Sequence, residues 1–399
     1  MNSVTAGFLA SLLLCACGNN PQKGSDEIGV SDPQVIRITS VSPHRIRADR
    51  AKRIFPEELD GMLSWVDYIK LDSSEPIGNI DKMIVTEERI VIMDSYSAQQ
   101  IFVFDREGKL LFRIKNKGQG PMEYTSVTDM QVDTLRHEIM LVDSWACSYL
   151  YFSIDDGKFL RREKGIANFY AARIDSLYVN FQIKGQHAAD KEYWPILVTD
   201  KDSIVYKGFR PEPLQEGNYA SNNFCHDSDG SLLYTPIHSD TIYRFSSPSA
   251  ACAKYVICQK KSIWNRSGER LSEEEINNLI KKNGYTGFNG KFFATENHAA
   301  FTNIAVSGAD QKYITVQPYF WDKRNDTVYV LDSEGDTGKR PQNMISYPTA
   351  VYGDTFVYAF SPAIVPAAMD KKGLNSKLKR VLDRSKADDN PIVVFYKFK

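Results

Sequence analysis

From Ile90 to Asp143 the apolar residues come in short runs broken by turn residues. Ile90-Val91-Ile92-Met93 ends in Asp94-Ser95, Ile101-Phe102-Val103-Phe104 ends in Asp105, and the turn Arg106-Glu107-Gly108-Lys109 leads into Leu110-Leu111-Phe112-Arg113-Ile114. The phrase then repeats as Ile139 to Asp143-Ser144, Leu150-Tyr151-Phe152, Asp156-Gly157-Lys158 and Phe159-Leu160. Ile139, Asp143, Leu150, Gly157 and Lys158 each stand 49 residues after Ile90, Asp94, Ile101, Gly108 and Lys109. A constant period of about fifty residues, in units of short strands, predicts the blades of an all-β propeller.

The rest of the chain keeps this character with looser spacing. Val35 to Val41 reads as a first strand, 54–62 as a loop or short turn of helix around Pro56, and Trp65 to Leu71 as a strand with Trp65, Ile69 and Leu71 on one face. Ile80 to Val85 follows. Beyond the second repeat, Asp175 to Gln182 alternates like a half-buried strand, and Ile196 to Thr199 with Ile204 to Tyr206 reads as a hairpin. Ser231 to Tyr234 and Asp240 to Phe245 echo the opening pair, and the phrase recurs in Asp326 to Leu331. Tyr313 to Val316, Thr349 to Tyr352 and Phe356 to Phe360 supply further strands.

Two stretches switch to helical period. Ser272 and Glu275 form a capping box before Ile276, Leu279 and Ile280, with Gly284 as the stop. Asn375 caps a second helix over 376–386. Both read as insertions packed on the propeller's rim or face. The final strand, Ile392 to Phe398, suits ring closure, in which one terminus completes a blade begun by the other and removes an exposed edge.

Composition narrows the partners. Lys and Arg total 49 against 50 Asp and Glu, a net charge of −1, which leaves no global field for nucleic acid. The apolar run Phe8 to Ala16 is too short to span a bilayer but suits a signal peptide. It closes on Leu14-Cys15-Ala16-Cys17-Gly18, which resembles a bacterial lipobox, with Cys17 as the acylated residue because small Ala16 precedes it. Met1 to Gly7 carries no Lys or Arg, unlike the usual n-region. The expected organisation is a signal peptide over 1–17, a flexible polar tether over 18–34 and the propeller over 35–399. Cys147, Cys225, Cys252 and Cys258 show no metal-type spacing and read as free thiols, with one disulfide as the alternative.

The loop Gly118-Gln119-Gly120-Pro121-Met122-Glu123-Tyr124 lies after the Asp105 to Lys109 turn and before Asp129-Met130-Gln131-Val132-Asp133. With the lipobox and the ending Asp388-Asp389-Asn390-Pro391, it resembles the Gly-x-Gly-Pro-x-Glu-Tyr signature of the Bacteroidetes six-bladed β-propeller lipoproteins, which are TolB-like and NHL-like in fold. The resemblance implies six blades and an exported, lipid-anchored protein of the cell envelope, at the outer membrane. It implies no activity. Met122 stands where that family commonly has a further glycine. The residues themselves point to a structural corner: glycines at 118 and 120 permit positive φ, Pro121 restricts Gly120, Glu123 can accept backbone N–H bonds, and Tyr124 can pack beneath. The functional alternative has Glu123, Lys115 or Lys117 presenting charge to the central channel.

Reaction chemistry is sparse. The six histidines show no zinc spacing and no nucleophile elbow occurs, so neither a metal, a cofactor nor a catalytic residue is expected. His226-Asp227 and His238-x-Asp240 read as turn or strand-edge pairs. Asp227-x-Asp229-Gly230 lacks the remaining ligands of a calcium loop and reads as a β-turn. The strand-flanking aspartates read as turn caps. The expectation is a binding module for a glycan, a peptide or an envelope protein, using loops or the channel, with Trp145, Trp194, Trp264 or Trp321 as platforms. The alternative is a lactonase- or lyase-like propeller enzyme whose site is assembled from several blades.

Overall fold

The computed structural model describes residues 32–166, 168–182, 193–201, 203–210, 223–236, 238–265, 271–307, 313–332, 341–365 and 371–399. Six antiparallel sheets form a six-bladed β-propeller. Blade 1 holds Lys82–Val85, Arg89–Asp94, Gln100–Asp105 and Leu110–Ile114, and blade 2 holds Val127–Asp133, Glu138–Asp143, Ser148–Ser153 and Phe159–Lys164. Blade 3 is Tyr170–Ile174, Leu177–Phe181, Ile196–Thr199 and Ile204–Gly208. Blade 4 is Phe224–His226, Leu232–Tyr234, Thr241–Ser247 and Ala250–Ile257. Blade 5 is Gly287–Ala294, His298–Ser307, Tyr313–Asp322 and Thr327–Leu331. Blade 6 is Ala350–Tyr352, Thr355–Phe360, Ile392–Phe398 and, from the other end of the chain, Leu63–Lys70.

The first strand of each blade touches the first strands of its neighbours, which closes an inner ring around the channel. Apolar layers fill the gaps between successive blades. A strand in such a stack has a blade on each side, so both of its faces are buried. This is why Ile90 to Met93 and Ile139 to Val142 are unbroken apolar runs rather than alternating ones. The layer between blades 2 and 3 is the most polar. There Tyr151 and Tyr178 hydroxyls meet, Tyr178 donates to Glu163 at 2.6 Å, and Tyr149 stacks on Tyr178 at 4.4 Å.

Closure joins Ile392–Phe398 to Leu63–Lys70 in antiparallel register, as the terminal strand predicted. Ahead of that strand the N-terminal segment runs round the rim as a belt. Gln34–Val35 adds in parallel to the outer strand of blade 3, Arg37–Thr39 and His44–Ile46 to that of blade 4, and Lys52–Ile54 to that of blade 5. The single strand expected over 35–41 is therefore two strands on two blades. Buried Ile36 marks the crossing and packs where a side chain on Gly208 would stand.

Other differences have similar causes. Trp65 is exposed, because Leu63–Lys70 is an outermost strand whose edge faces solvent. The phrase at 326–331 forms the fourth strand of blade 5, not the third strand that its echo of Ile101 to Asp105 implied. Both helices form as capped. Glu273–Asn283 has the Ser272–Glu275 box and ends at Gly284 with φ of 65°, while Ser376–Asp383 is capped by Asn375 and stops three residues before 386. The first packs on the second and third strands of blade 5, the second on Leu63–Lys70. Among the described residues no helix is long and apolar enough to cross a membrane.

Candidate functional site

The glycine-proline loop joins blade 1 to blade 2 and is closed on itself. Glu123 Oε2 accepts the Gly120 N–H at 2.8 Å, Gly118 N–H donates to the Tyr124 carbonyl at 2.9 Å, and the buried Tyr124 hydroxyl donates to the carbonyls of Gln99 at 2.6 Å and Ile114 at 3.2 Å. Arg162, on the outer strand of blade 2, donates to the Glu123 carbonyl at 3.0 Å. Neither Gly118 nor Gly120 takes a positive φ, contrary to the expectation. They are glycines because the Glu123 carboxylate lies against their α-carbons, where a Cβ would stand. That carboxylate is turned back on its own loop rather than into the channel.

The strand-flanking aspartates brace turns. Asp94 accepts the N–H groups of Gly78, Asn79, Ser97 and Ala98 at 2.8–3.0 Å. Asp143, at the same repeat position, accepts Thr125 N–H at 2.7 Å, its hydroxyl at 2.6 Å and Ala146 N–H at 3.1 Å. Both are fully buried. Each ties the chain entering a blade to the turn after its second strand, which accounts for their recurrence.

Charge in the inner ring comes from the first strands. Lys82 of blade 1 donates to buried Asp129 of blade 2 at 2.7 Å, and Asp129 accepts the Ala171 N–H of blade 3 at 3.1 Å. His226, solvent-accessible at the end of the first strand of blade 4, has its pKa lowered by the protein crowded around it and by the Lys82 charge. Next to it, buried Asp227 accepts from Lys254 Nζ at 2.5 Å and the Tyr255 hydroxyl at 2.8 Å, while Gly230 N–H closes the predicted turn onto the Asp227 carbonyl at 2.9 Å.

A cleft of about 750 Å³ opens on the rim where the belt passes blade 4. Its outer wall is Arg45 to Asp49, fixed by Val256↔Arg45 and Ile257↔Ile46 pairing and by Asp49 N–H donating to the Cys258 carbonyl at 2.8 Å. Arg47 holds Asp49 through two bonds of 2.8 and 2.6 Å. The inner wall is the His238 to Thr241 turn and the segment from Val256 to Asn265, with Tyr285 beyond. Asp240 accepts from Ser262 and from Phe288 N–H at 3.0 Å, and burial raises its pKa to about 6. His238, at φ of 59°, lies 4.9 Å from the Trp264 ring, and burial lowers its pKa to about 4. Trp264 Nε1 donates to the Phe288 carbonyl at 2.9 Å, an approach that requires Gly287. Exposed Arg45, Lys260 and Lys261 stand at the mouth against Asp49, so the opening is basic, while Trp264 and Tyr285 put aromatic faces beside the Asp240 carboxylate within.

The expected residues separate accordingly. Cys17 and nearly all of the 18–34 tether lie outside the described residues. Gly118, Gly120, Pro121, Glu123 and Tyr124 share one loop. Of the tryptophans, Trp321 is buried, Trp264 lies in the cleft, Trp194 is covered by Lys207 and Arg210, and Trp145 is 74% exposed. Cys147, Cys225, Cys252 and Cys258 are free thiols. Among the described residues no three His, Cys, Asp or Glu side chains could share a metal ion. The sequence offered His238-x-Asp240 and Trp264 as separate pointers to the cleft, and only folding brings them to the belt residues Arg45 to Asp49 that form its other wall.

Residues 58–397 match the family described as "Domain of unknown function (DUF4934)". The chain belongs to the DUF4934 family. The match takes in Leu63–Lys70 and all but the last residue of Ile392–Phe398, so the DUF4934 domain contains both halves of the closing blade and leaves the belt strands from Gln34 to Ile54 outside. Among curated proteins none matches. Of solved structures, an exported-protein candidate (BF0058) from Bacteroides fragilis is similar at TM-score 0.71 and 17% identity, covering 89% of this chain and 99% of that one. A DUF4221 family member from Bacteroides vulgatus reaches TM-score 0.50 at 13% identity, covering 84% and 97%. At these identities the DUF4934 chain shares their fold. A streptogramin B lyase, at TM-score 0.38, 12% identity and coverage of 68% and 88%, carries no argument about activity.

Proposed function

We propose that this protein is a binding module of the cell envelope, exported and held to the outer membrane by lipid on Cys17, which takes a glycan carrying an acidic group in the rim cleft. The TolB-like and NHL-like resemblance, with its signature loop and lipobox, supports the exported reading. The observation that carries the ligand class is the pairing of a basic mouth (Arg45, Lys260, Lys261) with an aromatic floor (Trp264, Tyr285) in one cleft. Aromatic faces stack on pyranose rings, and the cations meet a carboxylate or phosphate. The acidic side chains are already engaged: Asp49 by Arg47, and Asp240 by Ser262 and the Phe288 N–H. The Ser262 hydroxyl in turn accepts the Trp264 and Asn265 N–H groups, so it builds a turn and is not poised as a nucleophile.

Titration calorimetry with an oligogalacturonate, a neutral dextran oligosaccharide and a polyglutamate peptide tests this reading. Binding is expected to the first alone, and the Arg45→Ala/Lys260→Ala pair should weaken it about tenfold or more. Affinity unaffected by that pair sinks the cleft as the site, preference for the peptide replaces the glycan, and cleavage of the saccharide during the titration favours the propeller-enzyme reading. Mass spectrometry of the membrane fraction tests the anchor. Diacylglycerol on Cys17 is expected, and an unmodified mature N-terminus overturns it.

A further inference from the structure

Tyr96 and Trp145 hold the same repeat position, each two residues after a bracing aspartate (Asp94, Asp143), and they are 82% and 74% exposed. Met122, in the loop between their blades, is 54% exposed. The second and fourth strands of a blade run in the same direction, so the turns carrying Tyr96 and Trp145 and the loop leaving Ile114 emerge from one face. That loop adds exposed Lys115 and Lys117.

These tips are held firmly. Asp81 accepts the N–H groups of Ser95 at 2.7 Å and Tyr96 at 3.0 Å, Asp94 accepts the two N–H groups after them, and Asp143 holds Ala146. Rings on rigid turns, projecting outward rather than lining a cleft, fit an occupant soft enough to take separate tips at once. Tyr, Trp and Met beside lysines is the composition that settles at a bilayer interface, with rings at headgroup depth and ammonium groups on phosphates. Gln34–Val35 runs parallel to Ile204–Gly208, so the chain before Gln34 approaches from the opposite face, and residues 18–33, about 50 Å when extended, are what would let Cys17 reach a bilayer on this one.

We propose that the face of blades 1 and 2 bearing Tyr96, Met122 and Trp145, with Lys115 and Lys117, docks on the interface of an anionic phospholipid bilayer. It would be a second, non-covalent contact beside the lipid on Cys17. This deepens the envelope reading and rests on it only for the presence of a membrane within reach.

The test uses the unlipidated chain 18–399, since every strand pairing of the ring lies within 34–398. Sedimentation is measured with vesicles of phosphatidylethanolamine and phosphatidylglycerol, with vesicles of phosphatidylcholine alone, and with an insoluble neutral polysaccharide. Salt-sensitive partition onto the anionic vesicles is expected. The Tyr96→Ser/Trp145→Ser pair should lower it about tenfold or more, and each of Lys115→Ala and Lys117→Ala about fivefold. Leu135→Ser, at an exposed turn on the opposite face of blade 2, should leave it unchanged. Circular dichroism checks that each variant is folded, and the lysine variants, which remove no packing, keep the test valid if the aromatic pair misfolds. Absence of vesicle binding, binding indifferent to all four substitutions, or capture by the polysaccharide instead overturns the proposal. An unacylated Cys17 with intact vesicle binding would remove the anchor and leave this face standing.

Discussion

The Glu123 carboxylate occupies the space that a side chain on Gly118 would need. One residue's absence of a Cβ is thus the condition for the other's bond to the Gly120 N–H, and through it for the corner between blades 1 and 2.

Gly118→Ala should therefore destabilise the ring by about 1–3 kcal/mol through overpacking. The double variant Gly118→Ala/Glu123→Ala should recover part of that loss. Urea unfolding of the four members of this cycle checks it, and simple additivity would show that the two residues are not coupled.

The braces at Asp94 and Asp143 predict matched losses. Asp143→Ala strands Thr125 and Ala146 N–H groups in a buried setting and should cost about 3 kcal/mol, with Asp94→Ala costing a similar amount. Comparable shifts in the denaturant midpoint are expected from both, since their roles repeat. A large difference would show that one turn is held by something else.

Acid titration should separate the two buried groups of the cleft. Asp240 has its pKa raised to about 6, so its contribution is fully present below the unfolded value near 4 and is lost as pH rises through 6. His238 is lowered to about 4, so its contribution is present above the unfolded value of 6.5 and is lost as pH falls toward 4. Between pH 7 and 4 the two oppose each other at about 3 kcal/mol apiece. Relative to wild type, Asp240→Asn should lose stability on acidification and His238→Asn should gain it. Parallel pH profiles for all three proteins would refute both assignments.

The belt should be a fastening rather than an ornament. Ile46, fully buried between blades 4 and 5, pairs with Ile257 and also accepts the Cys258 N–H at 2.8 Å. Ile46→Ala should cost about 2–5 kcal/mol in thermal or urea unfolding. Hydrogen exchange should quicken in Ala250–Ile257 before it does in blade 1, whose outer strand carries no belt.

Much of the architecture was legible locally. The period from Ile90 to Asp143 marks blades 1 and 2 because their turns close with few residues, and each role, from Asp94 to Gly108, lies within one unit. Blade 5 was harder to read. His298–Ser307 opens on Ala299 and Ala300, buried where neighbours leave little room, and carries Asn303 in its middle, so its branched residues Thr302, Ile304 and Val306 do not form the unbroken apolar run that announces a strand in blades 1 and 2. Its neglect moved Thr327–Leu331 to the wrong place in the blade. The signature loop's glycines answer to Glu123 and not to the positive φ expected of them, a contact that sequence spacing does not express.

By itself the sequence determined what local chemistry determines: strand phrases and their period, two capped helices, a closing strand at the C-terminus, and aspartates spaced to brace turns. Tertiary structure decided what depends on residues far apart meeting. It laid the N-terminal segment across blades 3 to 5, so that Arg45 came to face Lys260 and Trp264 over one cleft, and it left Trp145 in solvent while burying Trp321. The physical reason is that turns and caps are settled by neighbours in the chain, whereas a cleft or an exposed face is settled by which surfaces remain uncovered once the ring has closed.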